Sequence, residues 1–234
     1  MTVAVLVPWK PGCPWREKAW AWVQNRYREV HPGWEIVTGT ADVEGFSRTQ
    51  ALLDARSKTD ADVLVCADAD TWCDGIGDAV DHVERVGGWA IPHLLIHRLA
   101  ESSTLVVFGG RDWHDLNLST DNAQDSRPYR GHEAGTLLVL AAGAFDTAPP
   151  DPRFVGWGQE DAAWARALRM LVGSPWRGRA DLVHLWHPAE PRHTRIIGNP
   201  ANRALGRRYA NARSRTVMAA LIEEVRGAST VDRA

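Results

Sequence analysis

Apolar and polar positions along the first hundred residues follow two alternating periods. "TVAVLVP" is an unbroken apolar run closed by Pro8, which predicts a buried strand. "PWREKAWAWVQNRYREV" then sets apolar residues at helical spacing, and "WEIVTG" predicts a second strand closed by Gly39. "SRTQALLDARSKT" reads as a helix with Ser47 as its N-cap. "ADVLVCAD" is a third strand, "GDAVDHVERV" a helix, and "GWAIP" another strand. Strands alternating with helices predict an α/β layer fold, a mostly parallel central sheet flanked by helices. Ligands of such sheets bind outside the carboxyl ends of the strands.

The pattern changes in the second half. Residues 109–133 are polar with few apolar anchors, which predicts a long mobile loop and a candidate lid. "AGTLLVLAAGAFD" reads as a strand and a short turn or helix. "PPDPRFVGWGQEDAAWARALRML" reads as a Pro- and Gly-punctuated loop leading into a helix, and "ADLVHLWHP" as a strand ended by Pro188. Residues 199–226 read as helical, interrupted at Gly206. With no convincing linker or internal repeat, the 234 residues are expected to form one domain.

Composition narrows the class. At 44% hydrophobic and 24% charged residues, the chain is ordinary for a soluble globular protein. It has no apolar run long enough to span a membrane and no leader-like N-terminus, and three cysteines are too few for a disulfide framework. A cytoplasmic, reducing setting is expected. Charge is uneven: residues 191–234 hold nine arginines and three acids, a net of +6, which leaves −8 on residues 1–190 of a chain whose total is −2. That basic stretch is either a solvated helical surface or a seat for an anionic acceptor.

Four constellations carry chemistry. In "VCADADT", Asp68 and Asp70 follow the third strand; on extended backbone both would face one site. Paired carboxylates repel unless a cation sits near them, and Mg²⁺ or Mn²⁺ suits oxygen ligands. A plain turn fits the same residues equally well. In "FVGWGQEDAAW", Gly156 and Gly158 flank Trp157, a ring that could lie flat on a sugar. Glu160 and Asp161 open a helix, as caps for its dipole or as a general base. In "LVHLWHP", His184 and His187 are rival metal ligands, set against the commoner structural histidine. In "GFSRTQ", Arg48 opens a helix as a solvated first-turn arginine or as a diphosphate contact.

In this order the motifs resemble the GT-A fold (Rossmann-like) nucleotide-sugar glycosyltransferases, the group of β-1,4-galactosyltransferases and chondroitin-polymerase-type enzymes. The resemblance spans roughly residues 3–190. It rests on Phe46-Ser47-Arg48-Thr49, Asp68-Ala69-Asp70, Trp157-Gly158-Gln159-Glu160-Asp161 and His184. Gln159 stands where the family has glycine, and Ser47 where it has asparagine. The resemblance implies a metal-dependent hexosyltransferase that moves sugar from a nucleotide sugar, expected to be a UDP-sugar, to an acceptor hydroxyl with inversion. Asp161 would be the base, with Glu160 on donor or acceptor hydroxyls. Asp70 and His184, with His187 as rival, would hold Mn²⁺ or Mg²⁺. Pro8, Trp9, Arg16, Thr38, Gly39, Arg48 and Asp68 would bind the donor, and Trp157 and Gly158 the acceptor. It divides the chain into a nucleotide-sugar-binding half (about 1–108), an acceptor and catalytic half (about 109–190) and a basic helical segment (about 191–234). The acceptor is left open among glycans, other hydroxyl compounds and a modified DNA base. Two alternatives stand beside this reading. A nucleotidyltransferase would need more than the one glycine of "PWKPGCPWR" after the first strand. A non-catalytic carbohydrate-binding protein would use the tryptophans but not the acids and histidine.

Overall fold

The computed structural model describes residues 1–116, 128–188 and 199–231. Seven strands form one sheet in the order β2-β1-β3-β6-β5-β7-β4. They are β1 (Val3–Pro8), β2 (Glu35–Gly39), β3 (Val63–Ala67), β4 (Thr71–Cys73), β5 (Trp89–Arg98), β6 (Leu137–Ala141) and β7 (Trp176–His184). Only β6 and β4 run against the others, so the sheet is mostly parallel by strand direction. The helices are α1 (Pro14–Val30), α2 (Arg48–Arg56), α3 (Ile76–Val86), α4 (Glu101–Phe108), α5 (Ala142–Thr147), α6 (Glu160–Leu171), α7 (Pro200–Asn211) and α8 (Arg215–Val231).

The continuous apolar strands are explained by burial on both faces, because side chains alternate across a strand. Ala4, Leu6, Leu64, Cys66, Leu138 and Leu140 point into a core shared with α2, α5, α6, α7 and α8. Val5, Val7, Val63, Val65 and Val139 point to the opposite core, against α1 and α3. Among the described residues, no helix is long and apolar enough to cross a membrane.

The structure departs from the sequence pattern in several places. β5 does not stop at Pro92; one register shift across it, between Ile91 and His93, and another between His93 and Leu95 make the proline part of an irregular stretch, and the strand runs on to Arg98. Gly178 permits this, since a Cβ there would stand 2.1 Å from the Pro92 carbonyl oxygen. β4 and α4 are additional elements, and β7 begins at Trp176. The C-terminal helix breaks at 212–214, not at Gly206. Ala212 ends α7 with its N–H on the Arg208 and Tyr209 carbonyls, and the Ser214 hydroxyl caps α8 through the Val217 N–H. Of the expected loop at 109–133, the described parts include a 3₁₀ turn (Trp113–Asp115) and an antiparallel bridge from Tyr129 to Ile96; residues 117–127 lie outside the described residues.

Gly39 is fixed by packing. A Cβ there would lie 1.8 Å from the Ala51 carbonyl oxygen, so α2 crosses β2 backbone to backbone. Gly39→Ala is expected to lose about 1–3 kcal/mol through overpacking, read as a lower thermal midpoint; an unchanged midpoint would contradict this account of the crossing.

Candidate active site

The carboxyl ends of β1, β3 and β7 and the start of antiparallel β6 lie at one edge of the sheet, and the motif residues gather there. "DADT" is a turn. The Thr71 N–H and hydroxyl both donate to the Asp68 carbonyl, at 3.3 and 3.1 Å, and the Asp68 N–H donates to the Thr136 carbonyl at 2.8 Å. The two carboxylates therefore do not share one face as extended backbone would require. Asp68 accepts from Arg48 Nε at 2.7 Å, whereas Asp70 turns to the end of β7.

There Asp70, only 7% exposed, meets both rival histidines. Asp70 Oδ2 is 3.2 Å from His187 Nε2, and Oδ1 is 3.7 Å from His184 Nε2. One ligand atom from each of the three residues lies within 4.8 Å of the others. The Leu185 N–H donates to the Asp70 carbonyl at 2.8 Å, tying the histidine strand to the turn. Burial lowers the His184 pKa, which favours the neutral imidazole that can ligate. One carboxylate with two imidazoles suits a divalent cation.

The second centre is Arg48. Its guanidinium is largely buried and reaches Asp68, the Ala134 carbonyl (3.2 Å) and Asp161 Oδ1 (3.4 Å). Burial alone would weaken its charge, but Asp68 and Asp161 outweigh that and hold it cationic. Asp161 approaches closely because of Gly135, where a Cβ would sit 2.9 Å from Asp161 Oδ2. Burial pushes the Asp161 carboxyl up, against Arg48. Glu160, 8% exposed, is pushed above the usual carboxylate range by burial and then by the Asp161 charge. Two buried polar atoms here, Arg48 Nη2 and Glu160 Oε2, lack a hydrogen-bond partner among the described residues. Buried polar atoms left open in this way mark places for a polar ligand.

The glycine-rich loop before α6 is left-handed at Gly156 (φ 72°), Gly158 (φ 107°) and Gln159 (φ 81°). Gln159 thus keeps a conformation that favours glycine. Its side chain packs on Gly206 of α7, where a Cβ would stand 3.0 Å from Gln159 Oε1. Asn202, 1% exposed, donates to the Val155 and Gly158 carbonyls at 3.1 Å each and accepts from the Val155 N–H. Trp157 is left 53% exposed. Sequence reasoning missed Asn202, Ala134, Gly135 and Thr136; the "NPANR" helix start, with Asn199 as cap and Pro200 in the first turn, was the one available signal.

The remaining predicted donor residues lie around the end of β1. Pro8 is buried, the Trp9 N–H donates to the Gly39 carbonyl at 2.8 Å, and Arg16 sits in the first turn of α1. Lys58 Nζ donates to the Thr38 carbonyl at 3.1 Å. Thr38 and Gly39 make these backbone contacts, and among the described residues neither bonds to the Asp70 or Arg48 centres. Trp15 meets Trp186 edge-on at 4.7 Å, so the start of α1 reaches the histidine segment through its neighbour ring.

No protein-family model and no curated protein matches the chain. Among solved structures it is similar to a Drosophila β1,4-galactosyltransferase 7 mutant in complex with manganese, UDP-Gal and xylobiose. That likeness has a TM-score of 0.54 and 13% identity over 92% of this chain and 83% of that one. It is also similar to GalNAc-T7 with UDP, GalNAc and Mn²⁺, at a TM-score of 0.52 and 12% identity, over 88% of this chain and 48% of that one. The chain has the GT-A glycosyltransferase fold.

Glu160 gives a pH signature. Its folded-state pKa is raised, so its favourable contribution is complete below the ordinary carboxylate pKa and is lost as pH rises through the raised one. Glu160→Gln should therefore match the wild-type melting temperature near pH 4 and exceed it by about 2–4 °C near pH 8, about 1 kcal/mol. A constant difference across that range would refute the raised carboxyl.

Proposed function

We propose that the chain is a metal-dependent glycosyltransferase that moves a sugar from a nucleoside diphosphate sugar, expected to be a UDP-sugar, to an acceptor hydroxyl. The observation that carries this reading is the pairing of centres at one sheet edge: Asp70 with His184 and His187, and Arg48 with Asp68 and Asp161. The bound ligands of the two similar structures support it.

Asp70, His184 and His187 would hold Mn²⁺ or Mg²⁺, which when bound neutralises charge on a diphosphate leaving group. The other steps belong to the chain. Arg48, through its open Nη2, would donate to the donor diphosphate or base, and Asp68, oriented by Arg48, would accept from ribose or donor-sugar hydroxyls. Asp161 would take the proton from the acceptor hydroxyl as that oxygen attacks the anomeric carbon; its raised pKa makes it a stronger base than an ordinary aspartate. Attack from the face opposite the leaving group inverts the anomeric centre. Glu160 Oε2 would accept from a sugar hydroxyl. The exposed Trp157 ring would form the acceptor platform, with Gly158 admitting backbone close to it. Pro8, Trp9, Arg16, Thr38 and Gly39 would line the nucleotide. On this reading about 1–108 is the donor half and about 109–190 the acceptor half of a single domain.

Titration of UDP with and without Mn²⁺ tests the metal assignment. Mn²⁺ should tighten UDP binding, and Asp70→Ala should remove about 10–100-fold of that gain; UDP affinity indifferent to both would sink it. Asp161→Asn should lower turnover by about 10²–10⁴-fold with UDP affinity little changed.

A further inference from the structure

A cavity of about 350 Å³ opens between residues 131–133 and the outer face of α6, with Gly131, His132, Glu133, Ala162, Arg166 and Arg169 in its lining. It starts beside the proposed base. His132 acts electrostatically on Asp161, and Gly135, two residues beyond Glu133, lies against the same carboxylate. The cavity then follows α6 for two turns. Arg169 stands eight residues past Asp161, about 12 Å along the helix.

The charge around this cavity is one-sided. Arg169 grips Glu133 with both arms of its guanidinium, its Nε at 2.6 Å from Oε2. Arg177 Nη2 approaches the same carboxylate at 3.7 Å, and Arg130 acts on it as well. Arg166 spends its Nε and Nη2 on the Tyr209 and Ala212 carbonyls, at 2.7 and 2.8 Å, and meets no carboxylate among the described residues. Three arginines act on one glutamate, Arg169 within the lining and Arg177 and Arg130 outside it, a surplus of +2, while Arg166 lines the cavity with its guanidinium engaged by the carbonyls that end α7. Arg177, with a side chain 16% exposed, is destabilised as a cation by burial and by Arg130 and Arg169, with Glu133 opposing. A brace between loop and helix would need only the Arg169–Glu133 pair. Guanidiniums beyond that pair repel one another unless an anion joins them, and their planar forks match phosphate oxygens.

We infer that this cavity, which runs about 12 Å along α6 from Asp161 to Arg169, seats a phosphate ester carried by the acceptor. The inference rests on the glycosyltransferase reading of Asp161, and it moves anion recognition from the C-terminal segment to the face of α6. Acceptors without an anionic group at that reach would lack these contacts.

Isothermal titration of the full chain with inorganic phosphate tests it, after saturation with UDP and Mg²⁺ and at ionic strength held constant with sodium chloride. Saturable phosphate binding is expected, weakened about tenfold in Arg130→Gln and in Arg177→Gln. Arg130 is exposed, so the melting temperature of its variant should not move, which keeps the test independent of the half-buried Arg177. Absence of saturable binding, equal affinity in Arg130→Gln and wild type, or the same heat from chloride alone would overturn the inference. The UDP step separates the two readings. Failure of UDP to bind with the divalent ion counts against the glycosyltransferase assignment, while the phosphate step still reports on the cavity.

Discussion

The Arg48 guanidinium is buried among Asp68, Asp161 and the Ala134 carbonyl. A cation removed from water to that degree is penalised by several kcal/mol unless charge and hydrogen bonds replace its hydration. Here the replacements come from three separate stretches of chain: the turn after β3, the segment before β6 and the first turn of α6. The same contacts keep Asp68 and Asp161 apart at defined positions, where two free carboxylates would repel. The site is thus organised around a positive charge supplied by the protein itself, at the mouth of a mostly parallel sheet.

That arrangement explains why the two aspartates of "DADT" can diverge. Asp68 is neutralised by Arg48. Asp70 has only imidazoles near it among the contacts described, and burial keeps His184 inclined to neutrality. A buried carboxylate is costly unless it is paired, hydrogen-bonded or bound to a metal, and the two imidazoles leave room for a cation beside it. The turn reading and the ligand reading of this motif are therefore one structure: the hydrogen bonds of Thr71 to the Asp68 carbonyl make the turn, and the turn aims Asp70 at β7.

The parts of this molecule that can be read from sequence are those whose cause is local. α1 follows its helical spacing over 14–30, and Ser47 caps α2 through the Gln50 N–H, because spacing and capping act within a few residues. The acids and histidines that gather at this sheet edge are legible by residue type. What escaped depends on partners far away in the chain. β5 continues through Pro92 because Gly178 lets a neighbouring strand approach. Ala134 contributes a carbonyl, Gly135 an absence of side chain and Thr136 a left-handed backbone (φ 62°); none of these leaves a mark on residue chemistry. Gly206 looked like a helix breaker and is instead the floor under Gln159.

That last contact reassigns the C-terminal helices. Gln159 holds a left-handed conformation that costs of order 1 kcal/mol or more for a residue with a side chain, so something must over-determine the turn. α7 supplies it: Gly206 receives the Gln159 side chain, and Asn202 binds Val155 on both its N–H and C=O and the Gly158 carbonyl. α7 is itself anchored by the Tyr209 hydroxyl on Asp151 and by Arg166 on the carbonyls that end it. Its basic residues are partly engaged as well, with Arg208 on Glu224 and Glu224 on Arg153. The segment after residue 199 therefore acts on the site mechanically. It fixes the loop that presents Trp157, Glu160 and Asp161, and a substitution that enlarges Gly206 would be transmitted to those residues through Gln159 without touching any ligand.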